Sequence, residues 1–189
     1  MTEPSPGAPA DPAGGAIVDL EGTARERAVP IVIDSFTGIY RWHAKRTLRE
    51  VSRVRAFEVA HEAVGVAMLE RLAPEVGYVY YLAVRTAWRH RGVGRALLDD
   101  AITGFDRSGV RVVYAAAEED NASSLALFRS RGFRAVERDE PGYREGGLGA
   151  WGLRSRMRLV YGEVLLGRRL APEPTTTASV GSRFRGNER

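Results

Sequence analysis

The chain has 189 residues, a formal net charge of +4 and no cysteine. This length suits a single domain, and the absence of cysteine excludes disulfides and thiolate metal sites. Lys45 is the only lysine among 28 basic residues, an arginine skew that is more simply explained by a GC-rich coding sequence than by a nucleic-acid surface.

The two ends of the chain differ in composition from the middle. Residues 1–26 are rich in Pro, Gly and Ala, and residues 169–189 are polar and rich in Pro, Thr and Ser. Neither stretch can bury enough apolar surface to offset its chain entropy, so we predict disordered tails around a folded domain at 27–168. No apolar run approaches the ~18 residues of a membrane span, and the N-terminus lacks a signal-peptide layout. We therefore expect a soluble, cytoplasmic protein.

The first half of the domain is predicted to contain a strand, a helical segment and three more strands. A short apolar run at 28–34 predicts the first strand, and Ser35 is a good N-cap for the helical segment. Whether that segment is one helix or two short ones stays open. Residues 51–60 and 62–72 predict a hairpin with a polar turn. The apolar stretch 77–84 (GYVYYLAV) predicts a strand buried on both faces.

The second half continues with a helix, a strand, a short helix and two closing strands. In chain order these elements are predicted at 93–107, 110–117, 121–130, 133–139 and 155–167, with a Gly-rich loop at 139–152. The order of elements predicts a mixed α/β sheet of about seven strands with flanking helices, and it argues against a repeating βαβ barrel.

Residues 89–98 (RHRGVGRALL) combine basic side chains with two glycines at the start of a predicted helix. The first turn of a helix has unpaired N–H groups and a partial positive charge, and Gly92 and Gly94 let an anion approach the backbone. A P-loop is excluded because its lysine is missing, and a dinucleotide fingerprint is excluded because Leu97 replaces the third glycine. This stretch alone leaves an anion site and an arginine-rich surface helix equally open.

Two short motifs lie at the starts of two predicted helices. The first is R-x-x-G-x-G at 89–94, which follows the strand YYLAV and a short loop. The second is Asn121 followed by Leu127-Phe128 and by the RGF sequence at 131–133. Together they resemble the signature of the GNAT N-acetyltransferases, in which the second motif reads N…LY..GF. The resemblance covers roughly residues 28–166 and implies the acyl-CoA N-acyltransferase fold, whose central sheet is mostly antiparallel.

The resemblance implies acetyl-CoA as the donor cosubstrate and a primary amine as the acceptor. In this family the strand before the first motif separates from its neighbour at a bulge, and acetyl-CoA enters the gap. Backbone groups would bind the pantetheine arm at Leu82, Ala83 and Val84. Backbone amides would bind the pyrophosphate at Arg89, His90, Arg91, Gly92, Val93, Gly94, Arg95 and Ala96. Asn121 and Ser124 would face the pantetheine or the sulfur end, with Phe128 beside them in the cofactor site.

The acid that protonates the leaving thiolate is not evident from the resemblance. Many family members carry a tyrosine acid in the LY pair, and Phe128 occupies that position here. A phenyl ring cannot donate a proton. The thiolate either leaves unaided, because a thiol pKa of ~8.5 makes it a tolerable leaving group, or takes a proton from Ser124, one helical turn earlier.

Two candidates for the general base lie near the start of the strand at 77–84. Tyr78 matches a position from which family bases often project, and strict alternation places it on one face with the other even-numbered residues of that strand. Glu75, at the strand entrance, is the second candidate. An ordinary tyrosine pKa of ~10 makes Tyr78 a poor base unless it works through an ordered water. A purely structural role stays open for both residues.

The acceptor amine is not identified by the sequence. The acidic triplet at 118–120 could attract a cationic amine or could be an ordinary charged turn. The three histidines form no cluster, so no metal site is predicted. The leading hypothesis is an acetyl-CoA-dependent N-acetyltransferase that acts by direct transfer to an amine. The alternative is a catalytically inactive acyl-CoA sensor or scaffold of the same fold. We expect neither a nucleic-acid nor a membrane partner, and a homodimer stays open.

Overall fold

The computed structural model describes residues 14–136, 156–159 and 162–170. The strands are β1 (Ala16–Asp19), β2 (Arg53–Val59), β3 (Glu62–Ala73), β4 (Val76–Val84), β5 (Val112–Glu118), β6 (Arg134–Ala135) and β7 (Glu163–Arg169). The helices are α1 (Val29–Ser35), α2 (Gly38–Glu50), α3 (Val93–Arg107) and α4 (Ala122–Ser130), with 3-10 helices at Gly22–Ala28 and Thr86–Trp88. The strands form one seven-stranded sheet in the order β1-β2-β3-β4-β5-β7-β6. The predicted fold class is confirmed.

The sheet is antiparallel except between β4 and β5, which run parallel. The pairing of β4 with β5 covers only Val76–Val79 against Val112–Ala115. Strand β5 nevertheless stays paired with β7 as far as Glu118. Because β4 leaves β5 halfway along its length, the centre of the sheet opens into a gap between Tyr80–Val84 and the last residues of β5.

A β-bulge at Tyr80 coincides with the point where β4 leaves β5. Met68 of β3 pairs with Tyr81, and the next residue, Leu69, pairs with Val79, so Tyr80 is the inserted residue. A bulge of this kind shifts all later side chains to the opposite face. Val79 and Leu82 consequently pack on the same core. The prediction that Tyr78 shares a face with Leu82 is wrong for this reason.

Helices cover both faces of the sheet. On one face, α3 and α4 bury their apolar stripes, including Leu97, Leu98 and Leu125, against the sheet. On the other face, Ile31 of α1 and Leu48 of α2 are buried. The predicted helices α3 and α4 are confirmed. The glycine that follows α4, Gly132, has the left-handed conformation expected of it (φ 78°).

The predicted strand at 28–34 is wrong, because these residues end a 3-10 helix and form α1. Pro30 occupies the first turn of α1, where its missing N–H is not needed. Ile31 and Val32 are fully buried, which explains why the run is apolar. The helical segment after it also begins later than predicted, with Thr37 at the N-cap of α2 and Ser35 at the end of α1.

The predicted tail at 1–26 is wrong for its described part. Ala16–Asp19 forms the edge strand β1, antiparallel to β2, and Leu20 is buried. Gly15 contributes to the tail-like composition, yet a Cβ there would overlap the ring of Phe57. This glycine therefore serves a close packing contact of the folded domain.

The remaining predictions are confirmed in part. The hairpin between β2 and β3 turns at Ala60 and His61, whose φ angles are both positive, as in a type I′ turn. The predicted strand at 155–167 is wrong in its first half, because residues 156–157 are helical and β7 begins at Glu163. The predicted C-terminal tail, at 169–189, starts one residue too soon, because Arg169 still belongs to β7. The loop at 139–152 lies outside the described residues.

Candidate active site

A cleft of about 200 Å³ occupies the gap between β4 and β5. One wall is β4 around the bulge, and the opposite wall is the end of β5. The junction of α1 and α2 and the start of α4 close the remaining sides. Of the predicted cofactor residues, those that line the cleft are Leu82, Asn121, Ser124 and Phe128. The second predicted motif and Leu82 of β4 therefore line the cleft, whereas no residue of the first motif, at 89–94, is among its lining residues.

Helix α3 begins beside this cleft. Its N-cap is Gly92, in the left-handed conformation (φ 86°), and no side chain caps the helix start. A side-chain cap is the usual partner of the first N–H groups, so these groups are available to an anion. His90 also has a positive φ of 60°, which is uncommon for a residue other than glycine. The loop before α3 thus contains two residues with positive φ, and no side chain caps the helix start.

Gly94 has a packing role in addition to its predicted one. A Cβ at this position would lie 3.4 Å from side-chain atoms of both Leu127 and Leu82. Gly94 therefore lets α3 pack closely against α4 and β4. Val93 and Ala96 continue the same first turn, with the Ala96 N–H donating to the Gly92 carbonyl at 2.9 Å.

The arginines of the first motif contact neighbouring protein groups. The Arg89 Nε donates to the Val84 carbonyl at 3.1 Å, and the Arg91 guanidinium lies 5.2 Å from the centre of the Trp88 ring. Arg95 is exposed. Arg89 therefore ties the motif to the end of β4, while all three side chains keep positive charge near the helix start.

Asp34 anchors the loop between β4 and α3. Its carboxylate accepts hydrogen bonds from the Thr86 N–H at 2.8 Å and from the Thr86 hydroxyl at 3.1 Å. These two bonds, the backbone one first, hold the pKa of Asp34 below its ordinary value. Asp34 lies in α1, so the loop is tied to the helix layer on the other face of the sheet.

The start of α4 forms the far side of the cleft. The Asn121 side-chain oxygen accepts a hydrogen bond from the Ser124 backbone N–H at 3.0 Å, which makes Asn121 the N-cap. The Ser124 hydroxyl is not used in this cap. Phe128 is buried and packs edge-on against Phe133, with ring centres 5.1 Å apart. Phe128 gives the cleft an apolar wall at the position where the resemblance suggested a hydroxyl.

Neither predicted base lines the cleft. Tyr78 is 2% exposed and lines a smaller cavity behind the cleft. Burial first, and the Glu163 carboxylate second, raise the pKa of Tyr78 well above its ordinary value, which is the opposite of what a base needs. Glu75 precedes β4 at the end still paired with β5, and its carboxylate pairs with Arg111 at 3.2 Å. Ser124 alone of the predicted catalytic residues lines the cleft.

Two carboxylates line the cleft that the sequence analysis did not assign to the site. Glu118 ends β5 and Glu163 begins β7, and the two are Cα partners in the strand pairing. Tyr40 and Tyr81 lie beside them. Burial first and the Glu163 carboxylate next raise the pKa of each tyrosine to about 12. Glu118 stood in the acidic triplet, but nothing in the sequence pointed to Glu163, because its partner strand lies far away in the chain.

Two kinds of feature are absent from the part of the chain that the structure describes. No group of three or more His, Cys, Asp or Glu side chains could hold a metal ion there. No helix among those residues is long and apolar enough to cross a membrane.

Comparison with known proteins shows which family the chain resembles. The family described as "Acetyltransferase (GNAT) family" matches residues 27–133. The N-alpha-acetyltransferase RimI of Mycobacterium tuberculosis is 38% identical over 90 residues, which are 48% of this chain and 55% of that protein. The chain therefore spans about half the length of this curated relative.

Solved structures share the fold at low sequence identity. The ribosomal-protein-S18-alanine N-acetyltransferase from Escherichia coli matches with a TM-score of 0.62 and 19% identity, over 84% of this chain and 97% of that one. A GNAT family acetyltransferase from Elizabethkingia anophelis, solved with acetyl-CoA bound, matches with a TM-score of 0.62 and 15% identity, over 82% and 98%. Because the family match covers more than half of the sequence, the chain belongs to the acetyltransferase (GNAT) family.

Proposed function

We propose that the protein is an acetyl-CoA-dependent N-acetyltransferase that transfers an acetyl group to a primary amine by direct attack. The observation that carries this proposal is the position of the gap in the sheet. The gap opens at the Tyr80 bulge and lies next to the uncapped start of α3. An extended thiol cofactor with an anionic end needs an open strand edge for its arm and an anion site for its charged end, and the two must lie next to each other.

The residues present fit acetyl-CoA. The backbone amides around Gly92 and Gly94 would hold the pyrophosphate, because the helix start is uncapped and Gly92 is left-handed. The open edge of β4 at Leu82–Val84 would pair with the pantetheine arm, while Asn121 and Ser124 would face it from α4. When bound, acetyl-CoA supplies an acyl group that is already activated as a thioester.

Direct transfer is favoured because the chain contains no cysteine that could carry the acetyl group. The Ser124 hydroxyl is the proposed proton donor to the leaving thiolate. It lines the cleft next to Phe128, which has no proton to give, and it is not used in the Asn121 cap.

We infer that protein α-amines are the first acceptors to test. The supporting observations are the similarity to the RimI protein, named an N-alpha-acetyltransferase, and the acidic lining of the cleft at Glu118 and Glu163. An α-amine carries a positive charge in its protonated form, which these carboxylates attract.

Ligand binding and thiol release test the proposed function. Thermal melting is recorded with acetyl-CoA, desulfo-CoA and duplex DNA. A ligand at 100 times its Kd stabilises the folded state by about 2.7 kcal/mol, so a shift of several degrees is expected with both CoA compounds and none with DNA. Thiol release is then followed with peptides that have free α-amines, matched peptides with blocked α-amines and an internal lysine, and spermidine.

Three outcomes separate the alternatives. A shift with acetyl-CoA together with amine-dependent thiol release supports the enzyme. A shift without release on any amine favours an inactive acyl-CoA sensor, an alternative that Phe128 raises because it lacks the hydroxyl of the family's LY pair. Absence of any shift with acetyl-CoA contradicts both.

A further inference from the structure

A second, smaller cavity lies directly behind the cleft. Its volume is about 20 Å³, and His43, Thr47 and Tyr78 are among the residues that line it. A cavity of this size holds a single water molecule. The cleft and the small cavity share a wall made of Tyr80, Tyr81, Ala116 and Glu163. A group in this wall can exchange a proton with both spaces.

Glu163 is the member of the shared wall that carries a carboxylate, a side chain able to accept a proton. Alanine has no titratable group, and burial raises the pKa of Tyr80 above its ordinary value and that of Tyr81 to about 12. The Glu163 carboxylate also contributes to the raised pKa values of Tyr78 and Tyr81. The carboxylate therefore lies near both tyrosines, which line the same small cavity.

Thr47 gives independent evidence for a water in the small cavity. The residue is 2% exposed, and its hydroxyl oxygen has no hydrogen-bond partner among the described residues. Buried polar groups in native proteins are almost always hydrogen-bonded to protein or to ordered water. Because Thr47 lines the small cavity, a water there would supply the missing partner.

We propose that Glu163 is the proton acceptor of the transfer reaction, and that a water held by Thr47 carries the proton from Glu163 toward His43. The inference rests on the proposed function. The acceptor ammonium gives one proton to the Glu163 carboxylate. The nitrogen lone pair then forms the N–C bond to the acetyl carbon as the C–S bond breaks, its electron pair going to sulfur. A second proton from the nitrogen ends on the thiol, and the first leaves through the water.

Glu118 has a different place in this arrangement. It lies opposite Glu163 in the strand pairing but is exposed, and the Tyr40 hydroxyl hydrogen-bonds to it. Its charge can attract the ammonium group at the mouth of the cleft, whereas Glu163 is partly buried. The charged and titratable groups near Glu163 include Tyr40, His43, Tyr78, Tyr80, Tyr81, Glu118 and Arg158.

The Glu163→Gln variant tests the proton acceptor, with Glu119→Gln as the matched control. Glu119 is the exposed neighbour of Glu118 and does not line the cleft. With the most active amine of the panel, kcat at pH 7 should fall about 10²–10³-fold in Glu163→Gln, with an unchanged Kd for acetyl-CoA. The remaining rate should rise with pH as the amine loses its own proton, near pH 8 for an α-amine. Glu119→Gln should keep the wild-type rate.

The results separate this inference from the proposed function. A Glu163→Gln variant with the wild-type rate and pH profile overturns Glu163 as the acceptor while the enzyme assignment stands. Loss of acetyl-CoA binding in that variant also overturns it, because the role would then be structural. A wild-type protein that binds acetyl-CoA but acetylates no amine contradicts the proposed function. The role of Glu163 as proton acceptor is then overturned as well.

Thr47 is a positioning residue in this scheme and has its own test. Thr47→Val keeps the shape of the side chain but removes the hydroxyl, and it should lower kcat about tenfold without changing the Kd for acetyl-CoA. Thr47→Ser, which retains the hydroxyl, should restore the rate. A Thr47→Val variant with wild-type kcat overturns the water path.

Discussion

Gly92 shows how one residue can be required for two reasons. It stands at the N-cap of α3 with a φ of 86°, a conformation that costs other residues roughly 1–2 kcal/mol. It also leaves the first N–H groups of the helix uncovered. Strain and ligand binding must therefore be separated in any test of this position.

The Gly92→Glu variant should lose the thermal shift with acetyl-CoA, because a carboxylate would stand where the pyrophosphate is proposed to bind. Gly109→Glu is the matched control. Gly109 follows the other end of the same helix, has a φ of 80° and has open space where a Cβ would be. Both variants should melt at lower temperature, but only Gly109→Glu should keep the shift. A retained shift in Gly92→Glu would count against the anion site.

The Ser124→Ala variant should lower kcat by about tenfold or less, because a thiol with a pKa of ~8.5 leaves tolerably well without an acid. The helix cap survives, since Asn121 accepts from the backbone N–H of Ser124. Ser123→Ala is the control, because Ser123 is exposed and lies outside the cleft. Steady-state rates and acetyl-CoA binding would be compared, and equal rates for the three proteins would exclude Ser124 as the donor.

Single residues differ in how far the sequence could locate them. Asn121 was found because an N-cap signal and a helix follow each other in the chain. Tyr78 was misplaced because one inserted residue, Tyr80, reverses the alternation after it. Glu163 could not be assigned to the site from the sequence. Its partner Glu118 is distant in the chain, and only strand pairing places the two residues opposite each other.

Among the elements, β1 is held to the sheet by side chains as well as by its backbone. The Asp19 carboxylate pairs with Arg53 at 2.9 Å and with Arg55 at 2.6 Å. Arg55 also forms two hydrogen bonds to Asp100 of α3, at 2.7 and 2.8 Å. The edge strand, its neighbour β2 and helix α3 thus share one ionic network.

This network makes the attachment of β1 sensitive to acid. The hydrogen bond from Arg53, followed by the charges of Arg55 and Arg53, lowers the pKa of Asp19 below 3.8 despite some burial. A lowered folded-state pKa contributes stability that is present above pH 3.8 and is lost as the pH falls through the lower value. Asp19→Asn should therefore reduce the acid dependence of unfolding and cost less than about 1 kcal/mol at pH 7, because the Asp19 side chain itself is 40% exposed.

Denaturant unfolding at pH 7 and at pH 3 measures this effect. Asp106→Asn is a suitable control, because Asp106 is exposed on α3. If the free energy of unfolding of wild type and of Asp19→Asn depended on pH in the same way, other carboxylates would be responsible for the loss of stability at low pH.

Two elements near the N-terminus show where local patterns fail. The run AVPIVID has the β-branched composition of a strand, but Pro30 fits the first turn of a helix and the buried Ile31 and Val32 need only one face. Strand β1 has four residues, too few for alternation to stand out in a Pro- and Gly-rich segment. Longer elements such as α3 were predicted because their periodicity repeats over several turns.

At the scale of the whole molecule, the sequence predicted the number of strands and two motifs, of which the second lines the cleft and the first lies at the start of α3. It did not predict which segment forms the first strand. The segment at 28–34 is helical, and Ala16–Asp19 supplies the edge strand instead. The proposed donor side of the site depends on local motifs, so it was predictable. The proposed acceptor side is assembled from α2, β5 and β7, which only tertiary packing brings together.

The early separation of β4 from β5 has a consequence for backbone exchange with solvent. The amides of Tyr80–Val84 that point away from β3 have no partner strand among the residues that the structure describes. They should exchange hydrogen for deuterium faster than the amides of Val76–Val79 in the ligand-free protein. Acetyl-CoA bound along this edge should slow that exchange, and mass spectrometry of peptides from β4 would record it. The donor would then act as a temporary strand, so the sheet would be continuous only while the protein holds its cosubstrate.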